Sequence, residues 1–430
     1  MEGIRLRWPE IDVRCDGSLG DRLVKTDKND FAPRLGVTWS PNGKWVVRAG
    51  GGMFYSQDTG NPRFDMSRNL AGRLRDNSSP QFPNLRWDNA LASIAGGVAN
   101  VFRPFTFANA VDRRTPYSWQ YMFNLQRELP GGSLFEVGYL GSVSRHLESL
   151  RSVNEATPAD PRLDSRSIPL RSPFPTFGRI QFVDNGGNGN YNSLSAKFTK
   201  RYSNGVTYLM SYTYAKSLDT ATAIRNQGGD TLFPQNSRCR ACEYARSSHD
   251  TRQRFVTSAL WDIPFGKGRH FKIENRVLDM IAGGWQVGGI LTLQSGFPVT
   301  VTNGQDASNT GAFFDRPNST GRDAKLDSGL QDPARFFDVT AFLPNLPGTH
   351  GNVGRNTLDG PGLVALDAST LKDFRIDESR YLQFRFEAFN LPNRPNWGNP
   401  NTNIASAGFG TITNTRTNMR NLQFALKFVF

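Results

Sequence analysis

The chain has 430 residues, of which 21% are charged and 37% hydrophobic, a formal net charge of +13 and a mean hydropathy of −0.49. These values exclude a helical membrane protein: no apolar run approaches the ~18 residues a helix needs to span, and the longest candidate, "GGILTLQSGFPVTV", breaks at Gly, Gln, Ser and Pro. The charge does not indicate nucleic acid, because Lys and Arg are spread along the chain without a basic block, and a basic surface suits phosphate-rich lipid or an anionic ligand equally well.

The start, "MEGIRLRWPE", lacks the apolar stretch of a signal peptide, so a membrane reading makes the chain a fragment or one whose true start lies upstream. Residues 1–31 read as an irregular segment or a partial strand at "IRLRW", and residues 32–430 as one β domain. From there apolar and polar residues alternate in stretch after stretch. Leu35, Val37 and Trp39 lead through "PNG" into "KWVVRAGGGMFYS". Tyr117, Trp119, Tyr121, Phe123 and Leu125 lead through "PGG" into Phe135, Val137 and Tyr139. Leu194, Ala196 and Phe198 lead through "SNG" into Val206, Tyr208, Met210, Tyr212 and Tyr214. Period two gives each strand one apolar and one polar face, and each Gly- or Asn-bearing turn marks a hairpin.

Further strands are expected at Phe255–Ile263, Trp285–Leu293, Val364–Phe374 and Leu382–Ala388. The last, "NLQFALKFVF", sets Leu422, Phe424, Leu426, Phe428 and Phe430 on one face. That makes about eleven strands, or twelve with "IRLRW", most of them long enough to cross a bilayer at a tilt.

The connections sort by length. Short turns at Pro41–Gly43, Pro130–Gly132, Ser203–Gly205 and Arg375–Ser379, with a medium connection holding a short helix near Arg276–Ala282, alternate with long connections 56–116, 146–190, 218–251, 303–362 and 391–419. A soluble sandwich has no reason to sort loops by side, whereas an outer-membrane barrel places short turns in the periplasm and long loops outside. Tyr117, Trp119, Tyr202, Tyr212, Tyr214, Trp261 and Trp285 fall near strand ends, where interfacial girdles belong. The expected fold is therefore an all-β, antiparallel transmembrane barrel portion. Tyr121, Phe123, Phe198, Tyr208, Phe384, Phe386, Phe424, Leu426 and Phe428 should face lipid, and Gln120, Lys197, Gln383, Arg385 and Lys427 the interior.

Catalytic and metal motifs are missing. "CRAC" spaces Cys239 and Cys242 as a zinc half-site or a redox pair, but no second half completes it; a small loop disulfide is expected, and Cys15 stands apart. Ser248, His249 and Asp250 are sequence neighbours that point apart on an extended chain, and "PFGKGR" lacks the spacing of a phosphate loop. No enzyme and no cofactor is expected. Glu136, Lys197, Asp367, Arg385 and Glu387 fall on the polar face, where an ion-pair lattice is the plainer reading and a ligand path the sharper one. For ligand binding the long loops are the better candidates, especially "FDRPNS" and "PNRPNWGNPN".

"FAPRLGVTWSP", "VVRAGGGMFY", "YNSLSAKFTKRYSNGVTYLMSYTYAKSLD", "DTRQRFVTSALWDIPFGKGR", "GGWQVGGILTLQSGFPVTV" and "LQFRFEAFNLPNRPNWGNPNT" together resemble the TonB-dependent outer-membrane receptors, and especially the adhesin-like subgroup with a carboxypeptidase-regulatory-like domain. The resemblance covers Phe31 to Phe430. It implies a barrel of about 22 strands filled by a plug, of which this chain looks like the C-terminal half, open along one side. It implies residence in the outer membrane of a Gram-negative-type bacterium, and partners in outer-membrane lipid and in the assembly machinery that reads the terminal strand. The TonB system would enter only through an N-terminal part absent here. The implied function is uptake of a scarce nutrient, such as a glycan breakdown product or a metal chelate. The alternatives are a surface adhesin anchored by the barrel and, third, a soluble secreted β protein.

Overall fold

The computed structural model describes residues 25, 27–56, 106–222, 233–327, 329–376 and 379–430. "IRLRW", Cys15 and most of the connection 56–116 lie outside the described residues.

Eleven long strands follow one another in a single sheet: β1 (Arg34–Asn42), β2 (Trp45–Tyr55), β3 (Tyr117–Leu129), β4 (Ser133–Ser152), β5 (Ile180–Ser203), β6 (Val206–Asp219), β7 (Gln253–Asp262), β8 (Trp285–Gln294), β9 (Leu363–Arg375), β10 (Tyr381–Phe389) and β11 (Asn421–Val429). Each pairs antiparallel with the next, so successive connections must lie at opposite ends of the sheet. The short turns therefore share one end and the long connections the other, as the sorting by length anticipates. Two short strands, Thr106–Asn109 and Ala245–Arg246, add to the margins of β5 and β6.

Turn chemistry explains the short end. Asn204 and Gly205 both take positive φ, 53° and 77°, the pairing a two-residue hairpin requires. The first turn sits at Gly43–Lys44, slightly beyond the expected Pro41–Gly43, because the Asn42 carboxamide accepts the N–H groups of Lys44 and Trp45 and closes the chain there. The expected helix is present: α1 is one turn at Ile168–Arg171, and α2 is Arg276–Ala282, capped by Asn275, whose side chain accepts from Val277 and Leu278.

One boundary differs markedly. The connection expected at 146–190 shrinks to 153–179, because β4 and β5 run to 20 and 24 residues, well past bilayer thickness. Register shifts around Leu147, with His146 at φ 57°, break the period-two pattern and hid the continuation.

The sheet does not close. Among the described residues, β11 pairs only with β10 and β1 only with β2. The open edges agree with the half-barrel, open along one side, that the resemblance implies.

Candidate functional site

Apart from the register shifts around Leu147 and next to the turns at Asn42 and Ser203, the register places alternate residues of the eleven strands on a common face. Tyr121 lies opposite Gly141, Phe123 opposite Tyr139, Phe198 opposite Met210, Phe384 opposite Leu426, Phe386 opposite Phe424 and Leu382 opposite Phe428. Tyr208 joins them through Lys200 and Ala259. On this apolar face Tyr121 lies flat over Gly141, where a Cβ would stand 2.2 Å from the ring. Tyr117, Trp119, Tyr212 and Tyr214 border it near the long connections, and Trp261 and Trp285 near the short turns.

The other face is mixed and largely polar. Gln120, Lys197, Gln383, Arg385 and Lys427 lie on it, with Glu136, Asp367 and Glu387. The five candidate residues gather in two groups, not one. Glu136 stands directly opposite Lys197 on β4 and β5. Across the sheet, on β10, Arg385 donates to Glu387 at 2.6 Å, while Asp367 on the neighbouring β9 accepts the Asn390 N–H at 2.8 Å and so fixes the end of β10. Over β1–β3 the same face loses its side chains at Gly36, Gly50 and Gly52, leaving a groove of about 460 Å³ beside Met122 and Leu140, within the size range of ligand sites. Arg34 and Arg48 flank it, the Arg34 guanidinium 4.4 Å from the centre of the Phe54 ring.

The described parts of the connections 153–179, 220–252, 295–362 and 390–420 fold together into a cap, and the buried apolar clusters lie there and in the strand extensions beneath it. Val153, Phe174, Ile180 and Phe182 form one; Leu150, Val183 and Phe233 a second; Phe336, Phe337 and Ile412 a third. Between them runs a buried charge network. Arg316 holds Glu243 with two hydrogen bonds, 2.7 and 3.0 Å, and donates to the Val353 carbonyl at 2.9 Å. Arg355 pairs with Asp219 and donates to the Glu243 carbonyl. Asp184 accepts from Arg151, Ser149 and Arg240. Cys239 and Cys242 are disulfide-bonded, and the single turn they staple carries both Arg240 and Glu243.

Small cavities open inside the described part of the cap. One of about 30 Å³, between Arg151, Phe233, Arg240, Glu243 and Arg355, has room for about one water. Another, about 130 Å³, is lined by Glu155, Phe177, Arg179 and Thr310. Burial pushes the Glu155 carboxyl up, outweighing the hydrogen bonds it accepts from Ser237 and the nearby Arg238 charge. Burial lowers the Arg179 guanidinium. At the exposed rim, Arg166 holds Asp164 down at about 2.

"FDRPNS" is built into this fabric: Asp315 accepts the Ser308 N–H at 2.7 Å and Arg316 is the partner of Glu243, so its charges are scaffold. "PNRPNWGNPN" behaves similarly in part, with Asn396 buried and Trp397 edge-on to Phe336. Near His249, Asp250 accepts the Ser217 N–H at 2.7 Å while the imidazole lies 3.4 Å from the Ser217 hydroxyl; carboxylate and imidazole do not act as a unit. At the terminus Phe424 packs on Phe386 at 5.0 Å and Phe428 stacks with Phe430 at 6.1 Å. Sequence reasoning missed Glu155, Asp184, Asp219 and Arg355, and read Arg316, inside "FDRPNS", as part of a ligand stretch; the available hint was the charge density of "RCRACEYAR" around the two cysteines.

A meander with one apolar face, aromatic borders at both ends and folded connections at only one defines an outer-membrane β-barrel protein. The chain belongs to the family described as "Outer membrane beta barrel domain", which matches residues 9–423. No curated protein matches it. Among solved structures it is similar to the outer membrane transporter YddB from Escherichia coli (TM-score 0.51, 10% identity, 93% of this chain and 40% of that one). It is also similar to BauA, the ferric preacinetobactin receptor from Acinetobacter baumannii (TM-score 0.42, 11% identity, 93% and 36%). The FrpB iron transporter from Neisseria meningitidis gives TM-score 0.40 at 11% identity, covering 92% and 38%. The chain thus spans well under half the length of these structures, and at such identity the likeness is one of fold.

Proposed function

We propose that the chain is the barrel portion of a TonB-dependent outer-membrane receptor that takes up a scarce nutrient, a glycan breakdown product or a metal chelate, by binding and passage without catalysis. The observation that carries this is the division of one sheet into two faces across all eleven strands, with the folded connections gathered at a single end. The apolar face meets lipid and the polar face lines the lumen, so Glu136, Lys197, Asp367, Arg385 and Glu387 are wall residues. The groove over Gly36, Gly50 and Gly52, apolar beneath and flanked by guanidinium groups, suits a solute with apolar and anionic parts. Deleting the gene should slow growth on one limiting nutrient within a panel and spare growth when that nutrient is abundant; normal growth across the panel would sink the uptake reading.

A second reading, a surface adhesin held by the barrel, draws on the cap, whose buried charges satisfy one another around a cavity of about 30 Å³. A deletion strain that grows normally but loses surface attachment would favour it.

A further inference from the structure

The connection between β7 and β8, residues 263–284, carries α2 in an unusual orientation. At about 100° per residue, Val277, Leu278, Met280 and Ile281 occupy an arc of about 160°, with Arg276, Asp279 and Ala282 on the remainder. A surface helix of a soluble protein turns such an arc inward. Here it points away from the protein: the four apolar residues are 60%, 56%, 56% and 60% exposed. The acidic side is the one that docks. Asp279 Oδ1 accepts the Lys267 N–H at 2.8 Å and lies against Gly283, where a Cβ would stand only 2.4 Å from it.

The helix is tethered beside the apolar face of the sheet. Trp285 Nε1 donates to the Ile281 carbonyl at 2.9 Å, and the buried Lys372 ammonium donates to the Gly283 carbonyl. Trp285 and Lys372 are directly paired across β8 and β9, and Lys372 is paired with Phe384, which fixes both on the apolar face. Around the helix the same connection holds exposed Lys267, Arg269, Lys272 and Arg276 against the carboxylates Glu274 and Asp279.

We propose that α2 is an interfacial helix whose partner is the phospholipid leaflet bordering the short-turn end of the barrel. Its apolar arc continues the lipid-facing surface of β8–β10 into the headgroup boundary, a depth of about 5–10 Å for helices of this kind. Lys267, Lys272 and Arg276 meet headgroup phosphates, and the Trp285 and Lys372 bonds hold the helix against the barrel wall. The inference rests on the outer-membrane reading of the apolar face.

The test places an environment-sensitive fluorophore on Leu278→Cys in a Cys15→Ser background, in the chain reconstituted into vesicles of phosphatidylglycerol and phosphatidylethanolamine, with Leu426→Cys and Lys427→Cys as lipid-face and polar-face controls. Spin-labelled lipid should quench the label at 278 and at 426 but spare that at 427. Adding Lys267→Gln, Lys272→Gln and Arg276→Gln should lower quenching at 278 about two-fold and leave 426 unchanged. A water-like, unquenched label at 278 beside a quenched one at 426 overturns the interfacial helix alone. Unquenched labels at both positions overturn the lipid-facing assignment, and the helix assignment with it. Quenching at 278 that ignores the three cation substitutions removes the headgroup contacts from the proposal.

Discussion

From Asn421 to Phe428 every residue of β11 is exposed, Phe424 and Leu426 by 69% each. In the cap and the strand extension beneath it, Phe182, Val153, Val301 and Asn356 are all but completely buried. The strands are joined by ladder hydrogen bonds and rely on lipid to cover their apolar side, whereas the cap has folded around a core of its own. The difference shows where each region draws stability: the membrane solvates one, and the other behaves as a small globular protein built from connections. The two should therefore fail separately, and the following changes test that separation.

The largest effect is expected at Arg316→Met. Its side chain and that of Glu243 are each 4% exposed, so removing the guanidinium strands a buried carboxylate at a cost of about 3–5 kcal/mol. Loop cleavage by added protease should rise steeply while the unfolding of the strands in lipid is unchanged. Pairing it with Glu243→Met should recover most of the loss. Collapse of both regions together in the single variant would show that cap and barrel are one cooperative unit.

Leu426→Arg probes the other region. It faces Phe384 on the apolar side and should cost about 2–4 kcal/mol near mid-bilayer and less near the rim, read by unfolding in lipid. Lys427→Gln, one residue on and on the polar side, should stay within about 0.5 kcal/mol. Equal penalties at 426 and 427 would contradict the two-faced sheet.

What could be read from the sequence divides along the same line. Lipid imposes a period of two on each strand, so Phe424, Leu426 and Phe428 announce their face without knowledge of any partner. The terminal strand, the short turns and α2 are legible for the same local reason. The cap obeys long-range rules. Arg316 meets Glu243 across 73 residues and Arg355 meets Asp219 across 136, so nothing near either residue signals its partner. The extension of β4 was hidden by its bulge at His146, and "FDRPNS" looked like a ligand loop because its charges have distant partners.

A smaller effect is expected at the disulfide. Replacing Cys239 and Cys242 by Ser opens a loop of sequence separation 3. Chain entropy for so short a loop gives about 2 kcal/mol, confined to the cap because the stapled turn positions Arg240 and Glu243. Reductant should speed loop proteolysis in the wild type and do nothing further to the double Ser variant. A wild type indifferent to reductant would mean that the buried ion pairs hold the turn unaided.

The smallest expected effect is a change of slope with pH. Glu155 is buried in the cap, its carboxyl raised above the ordinary 4.5 by burial despite two hydrogen bonds from Ser237 and the charges of Arg238 and His350. A raised folded-state value means that the folded cap holds this proton more tightly than the unfolded chain does. The stability it contributes is fully present below about 4.5 and is lost as pH rises through the raised value. Glu155→Gln cannot titrate, so its cap should lack that decline, although its amide nitrogen loses one acceptor for Ser237. Groups common to both proteins cancel in the difference except for the coupling of Arg238 and His350 to Glu155, which opposes the rise due to burial without reversing it. Protease susceptibility of the loops, followed from about pH 4 to pH 8, should rise more steeply in the wild type than in the variant once corrected for the protease's own profile. Parallel curves would place the Glu155 carboxyl in contact with water and remove it from the buried core of the cap.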